Sequence, residues 1–262
     1  MNMIVCVKQI MDPEIPASIF KIDPEAKRAI LPNNMKLVVS DYDKNAVEAA
    51  LKLKEIHGGK ITIVSLGSQS AIEAIRECIA MGADEGILLS DPLFDDSNLY
   101  CTASALAQAI KKIGDFDLIF CGREEGDWDG GHVGSGIANF LSIPVATVVG
   151  KVQLKNGKVE AERVVADGCE IIELPIPALL TISSEIGTPR YPTVRRIMAA
   201  RSKQLITWNA QDINIDPSTS RIKMLELFLV PKKEARCEFV EGETLEEAGT
   251  KLALKLGQAK LI

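Results

Sequence analysis

Across the first 150 residues, short apolar runs alternate with longer stretches of helical spacing, and this alternation limits the fold more than any other feature. Residues 3–8, 61–66, 86–90, 117–121 and 145–149 are short, apolar and bounded by Gly, Pro or Asp, which predicts strands. Residues 43–56, 70–81, 98–113 and 131–141 between them repeat apolar side chains at helical intervals. Near-continuously apolar strands separated by helices predict an α/β fold, with a mainly parallel, doubly wound sheet and helices on both faces. One connection departs from the pattern, because about fifty residues separate the first strand from the next. Residues 11–34, with four prolines, are therefore a long excursion at the carboxyl end of strand one, the end at which open α/β sheets bind ligands.

After residue 150 the pattern changes. Residues 151–154, an Asn156-Gly157 turn, 159–165 and 169–174 predict a β-hairpin region, followed by an apolar run over 177–183. A polar stretch over 209–220 leads to a strand-like run over 221–230. Residues 242–257 predict a capped amphipathic helix, with Thr244 ahead of Glu246 and Glu247. The total of 262 residues admits one large α/β domain with an appendage or two small domains.

With 47% apolar and 25% charged residues the chain can bury a large core, and its net charge of −6 gives no reason to seek nucleic acid or an anionic membrane. No basic leader or eighteen-residue apolar span stands at the N-terminus, which leads us to expect a cytoplasmic protein without membrane insertion. The six cysteines form no CxxC pair, disfavouring zinc and iron–sulfur motifs, and most lie in apolar runs where a reduced cysteine acts as a small core residue. There are two histidines, His57 and His132, and no GxSxG or HExxH, so neither catalytic residues nor metal ligands are expected. His57, ahead of Gly58-Gly59, reads as the charge complement of a helix C-terminus.

The segment of greatest chemical interest runs from Gly122 to Gly136, GREEGDWDGGHVGSG. It follows a strand and opens a helix, so its backbone N–H groups can converge on an anion with support from the helix N-terminus. It matches neither GxGxxG nor GxxxxGK[ST], and two readings stay open: a phosphate or pyrophosphate cradle, or a glycine-rich connection ending in a helix. Asp127 and Asp129 suit Mg²⁺, ribose hydroxyls or helix capping. His132 reads as a hydrogen-bonding group rather than a cationic clamp, since the helix dipole opposes positive charge there. Residues 190–203 hold five cationic side chains and no acidic one, with Tyr191 the sole aromatic, which suits a protein contact or a solvated face better than nucleic acid.

Several segments together resemble, in order, the β subunit of the electron-transfer flavoproteins. Val7-Lys8-Gln9-Ile10-Met11-Asp12 is similar to the family's VKQVPD-type opening. Ser40-Asp41-Tyr42-Asp43 and the following Ala46, Val47, Glu48 and Ala49 match its NPxD helix start, with Ser40 replacing Asn. Ser65-Leu66-Gly67, Arg76 and residues 80–84 resemble its glycine turn and helix. Residues 163–183 follow its signature segment, and Pro189-Arg190-Tyr191-Pro192 with Ile197-Met198-Ala199-Ala200 resembles its partner-recognition loop and following helix. Gly122–Gly134 is similar to the GRQAxDGDTxQVG cradle: Gly122, Arg123, Asp127, Asp129, Val133 and Gly134 fit, whereas Glu124, Glu125, Trp128, Gly130 and His132 depart.

The resemblance implies a heterodimer with an α subunit and an adenine nucleotide in the β chain, AMP in conventional members and FAD in bifurcating ones. It points to Lys8, Gln9, Ile10, Ser40, Leu66, Gly67, Gly122, Arg123, Asp127, Asp129, Gly130, Gly131, His132, Val133 and Gly134 as cofactor-binding residues. It also points to Arg190, Tyr191, Val194, Arg195, Ile197 and Met198 as partner-binding residues. Gly130-Gly131 lets a pyrophosphate approach closely, which favours FAD over AMP and electron bifurcation from NADH. Glu124 and Glu125 would repel phosphate unless directed away or paired with Arg123. An acyl-CoA or other dehydrogenase, and ferredoxin or flavodoxin as acceptor, are the implied redox partners. On this basis residues 1–189 form a nucleotide-binding α/β domain including a hairpin region at about 151–175, and 190–262 a partner-recognition loop and C-terminal arm. Two other classes stay open. One is an adenine-nucleotide-binding enzyme such as an ATP pyrophosphatase, which would want an SGGxDS-like loop where Lys8–Asp12 stands. The other is a binding module in which AMP only stabilises the fold.

Overall fold

The computed structural model describes residues 1–95, 98–215, 224–231 and 237–262. The chain forms two compact units, Met1–Glu226 and Leu227–Ile262. The described residues of 190–226 therefore belong to the first.

The first unit is an α/β fold. In chain order it contains β1 (Asn2–Cys6), β2 (Gln9–Met11), β3 (Lys21–Asp23), β4 (Arg28–Ile30), β5 (Leu37–Val39), α1 (Asp41–His57), β6 (Lys60–Leu66), α2 (Ile72–Met81) and β7 (Glu85–Leu89). There follow α3 (Leu99–Ile113), β8 (Leu118–Gly122), α4 (Val133–Leu141), β9 (Val145–Lys155), β10 (Lys158–Val165), β11 (Gly168–Leu174), β12 (Ala178–Ile182), α5 (Val194–Arg201) and β13 (Ile206–Trp208). Nine strands form one sheet in the order β11-β10-β9-β12-β8-β1-β6-β7-β13. Pairing is parallel from β9 to β13 and antiparallel where β10 joins β9 and β11.

The strand period of two divides the core into two layers. Met3 and Val5 of β1 face α1 and α2, while Ile4 and Cys6 face α3 and α4, and the same alternation runs through Leu118–Cys121. Small residues on the helices (Ala46, Ala49 and Ala50 of α1; Ala103 and Ala107 of α3) allow close approach to the sheet. Cys6, Cys78, Cys101 and Cys121 are buried as expected, whereas Cys169 and Cys237 are exposed.

Three features depart from the sequence reading. The strands expected at 145–149 and 151–154 are one strand, β9. Its first half joins the core of the sheet, and its second half alternates partly buried and exposed residues in the hairpin with β10. The hairpin turn uses Asn156 (φ 53°) and Gly157 (φ 76°), the pair of positive angles that a two-residue turn of this hand requires. The excursion after β1 is partly ordered, since β2 pairs with β5 and β3 with β4. The strand expected over 221–230 is absent from residues 224–230, and 221–223 lie outside the described residues.

The second unit contains α6 (Leu245–Gln258), where Thr244 Oγ1 accepts from Glu247 N–H and Glu247 accepts in return from Glu243 N–H. Its apolar residues Leu245, Leu252 and Leu254 are exposed. Among the described residues, no helix is long and apolar enough to cross a membrane.

Candidate functional site

β1 and β8 are neighbours in the sheet, yet the chain runs from β1 to β6 and β7 on one side before returning to β8 on the other. Their carboxyl ends thus mark a topological switch point, where loops diverge and leave a crevice. A cavity of about 640 Å³ opens there, within the usual range of small-molecule sites. Its walls are Val7, Lys8 and Gln9 after β1, Leu66 and Gly67 at the end of β6, Leu99, Thr102 and Leu106 of α3, and part of the segment from Gly122 to Gly134.

Buried polar contacts hold the loops on either side. Asp43, in the first turn of α1, accepts from Lys8 N–H (2.7 Å) with one carboxylate oxygen and from Gly122 N–H (3.0 Å) with the other, joining the ends of β1 and β8. Burial raises its pKa from 3.8 to about 7, against the lowering effect of those two N–H groups. Ser40 leaves α1 without a side-chain cap, and its buried hydroxyl instead accepts from Gly126 N–H (3.3 Å).

Several charged groups at the loop are ion-paired. Lys8 Nζ reaches Asp127 (2.7 Å), and Arg123 pairs with Glu124 (2.6 Å) while lying 4.6 Å from the centre of the Tyr42 ring. Glu125 is nearly buried, and its Oε2 accepts from the N–H groups of both Gly130 (3.0 Å) and Gly131 (3.1 Å). Among the described residues its other oxygen has no hydrogen-bond partner. At the start of α4 no side chain caps the helix, and Val133 and Gly134 line the cavity. A Cβ at Gly134 would lie 2.6 Å from Thr181 Cγ2, so glycine there lets α4 sit close on the sheet.

Of the residues expected to hold a cofactor, Lys8, Gln9, Leu66, Gly67, Gly122, Gly130, Gly131, Val133 and Gly134 line the cavity. Ile10 and Ser40 are buried and do not line it, and neither do Arg123, Asp127, Asp129 and His132 of the loop. In the expected partner-binding group, Tyr191, Val194 and Met198 are 93%, 77% and 61% exposed, and Arg195 is exposed as well. Ile197 is partly buried against the core, and Arg190 turns inward, hydrogen-bonded to Glu48 and Glu55 of α1. The sequence reading missed Asp43 as a wall residue and missed the α3 face. The apolar spacing of α3 showed a buried side but not that its first turns flank a cavity.

A family model described as "Electron transfer flavoprotein domain" matches residues 30–213, most of the chain. The chain belongs to the electron transfer flavoprotein family. Similarity to curated proteins places it with the β subunits. It is 37% identical to "Electron transfer flavoprotein subunit beta" of Thermoanaerobacterium thermosaccharolyticum over 100% of both chains. It is 35% identical to "Caffeyl-CoA reductase-Etf complex subunit CarD" of Acetobacterium woodii, also over 100% of both. It is 32% identical to "Protein FixA" of Bradyrhizobium diazoefficiens over 100% of this chain and 93% of that one. Electron transfer flavoproteins are flavin-dependent carriers in which β subunits pair with α subunits.

The donor set at the switch point fits an adenine nucleotide with one amendment. Backbone N–H groups at the start of α4, where no side chain caps the helix, and the apolar walls Leu66, Leu99 and Leu106 suit a phosphate group joined to a flat ring system, while the Lys8 ammonium is already paired with Asp127. The Gly130 and Gly131 amides, expected to face phosphate, are already bonded to Glu125.

Proposed function

We propose that this chain is the β subunit of a heterodimeric, cytoplasmic electron carrier, and that the switch-point cavity holds FAD. The observation that carries the reading is the cavity itself: about 640 Å³, open, apolar along α3, and bordered by the start of α4, where no side chain caps the helix. When bound, the isoalloxazine supplies two-electron chemistry with NADH and single-electron delivery to acceptors such as ferredoxin or flavodoxin, the basis of electron bifurcation. The protein's part is to bind and orient. Asp43 fixes the spacing of the Lys8 and Gly122 backbones, Gly134 keeps α4 against the sheet, and α3 excludes water from one side of the crevice.

Residues 190–262 form the partner-facing part, with Tyr191, Val194 and Met198 as an exposed apolar set and α6 as an arm for the α subunit. Similarity to a caffeyl-CoA reductase-Etf complex subunit and to an acryloyl-CoA reductase electron transfer subunit supports a dehydrogenase partner acting on acyl-CoA substrates. The deciding experiment is flavin absorbance with nucleotide analysis on the heterodimer purified with its α subunit. Two FAD per heterodimer are expected; one FAD with one AMP would refute FAD in this cavity and bifurcation with it.

A further inference from the structure

We propose that Glu125 selects a dinucleotide over a mononucleotide at the switch-point cavity, by closing the Gly130–Gly131 amide pair to a terminal phosphate. The inference rests on the reading of this cavity as an adenine-nucleotide site. Two successive backbone N–H groups that converge on one point form an anion nest. In this chain the anion is internal: Glu125 Oε2 receives both N–H groups, at 3.0 and 3.1 Å. The residue is only 9% exposed, so water does little to screen its carboxylate.

The nearby cations do not offset it, because Lys8 is paired with Asp127 and Arg123 with Glu124. A phosphate entering here therefore finds the uncapped start of α4 open, the neighbouring nest occupied, and a carboxylate alongside. A phosphate monoester carries about −1.5 to −2 at neutral pH. Each phosphoryl group of a pyrophosphate diester carries a single charge, so FAD is repelled less at any one phosphate than AMP. A side chain at residue 130 would disturb this arrangement, since a Cβ there would lie 3.0 Å from Glu125 Oε2.

The test is competitive loading. The heterodimer of the full-length chain with its α subunit is stripped of nucleotide, reloaded with equimolar FAD and AMP, and the bound nucleotides are released and counted. The wild type is expected to take FAD in this cavity. E125A is expected to move the ratio of AMP to FAD there at least tenfold toward AMP, and E125Q, which keeps an acceptor for the two amides but loses the charge, to fall between. A shift below threefold in both variants, or a wild type that prefers AMP, overturns the selectivity while leaving the nucleotide site intact. A wild type that takes up neither nucleotide beyond the FAD of its α subunit refutes the site itself. E125Q, the near-isosteric change, keeps the test decisive if E125A does not fold.

Discussion

Arg190 lies just before α5, and replacing it with alanine tests how the exposed 191–198 surface is anchored. Its side chain gives Glu48 two hydrogen bonds, from Nε (2.8 Å) and Nη2 (2.9 Å), while its backbone N–H gives a third (3.0 Å) and Nη1 reaches Glu55 (2.5 Å). Glu48 has a side chain only 6% exposed, against 28% for Arg190. R190A removes the guanidinium and leaves a buried carboxylate with the backbone N–H as its remaining Arg190 donor. Breaking a buried pair from one side costs about 3–5 kcal/mol. The retained N–H and the partial exposure of the site place the loss near the lower end, about 3 kcal/mol, with the exposed Glu55 contact adding about 0–1 kcal/mol. For a unit of this size that lowers Tm by about 6–12 °C. The assay is thermal and urea unfolding followed by circular dichroism, with the double variant R190M/E48L as control. Because an apolar pair of similar volume removes both buried charges, the double variant should be more stable than R190A. A loss below about 1 kcal/mol for R190A, or a double variant no better than the single one, would show that the clamp does not hold this surface.

Asp43 makes stability depend on pH. Its folded pKa of about 7 exceeds the ordinary 3.8, so between these values the native state holds the extra proton and stability falls as pH rises, becoming constant above the folded pKa. D43N removes this titration, so its urea midpoint should gain on the wild type from about pH 4 to 7; a constant difference across that window would refute the assignment. In G134A, the Cβ within 2.6 Å of Thr181 Cγ2 should push α4 from the sheet, costing about 1–3 kcal/mol and lowering nucleotide occupancy. T181S removes that methyl but keeps the hydroxyl that accepts from Val148 N–H, so G134A/T181S should recover most of the loss, as read by the same unfolding and nucleotide counts. No recovery would place the damage elsewhere in α4.

The parallel core was legible because strands buried on both faces must be apolar almost throughout, and β1, β6, β7 and β8 were found within a residue or two of their bounds. The loop beginning at Gly122 was legible as well, since no other segment gathers so many glycines between a strand and a helix. What it does with its amides was not. Whether a glycine N–H faces a ligand or a carboxylate five residues back depends on loop closure, and composition carries no record of that. Lys8 with Asp127 and Arg190 with Glu48 are 119 and 142 residues apart, and no periodicity connects them. β13 escaped notice for a related reason: three residues, two of them exposed, show neither an apolar run nor an alternation long enough to read.

The margins of the nine-stranded sheet set terms for any association. At one end β13 offers only three residues of backbone. At the other, β11 carries Glu170 and Glu173, each ion-paired to β10 through Arg163 and Lys158. Short edges and outward charges are the means by which sheets resist growth by strand addition. At the β13 edge a second polypeptide has little open backbone to zip onto, and at the β11 edge it meets a row of carboxylates, so recognition through side chains on loops and helices is favoured over strand addition. Such contacts can be made and released without unravelling a ladder of main-chain hydrogen bonds.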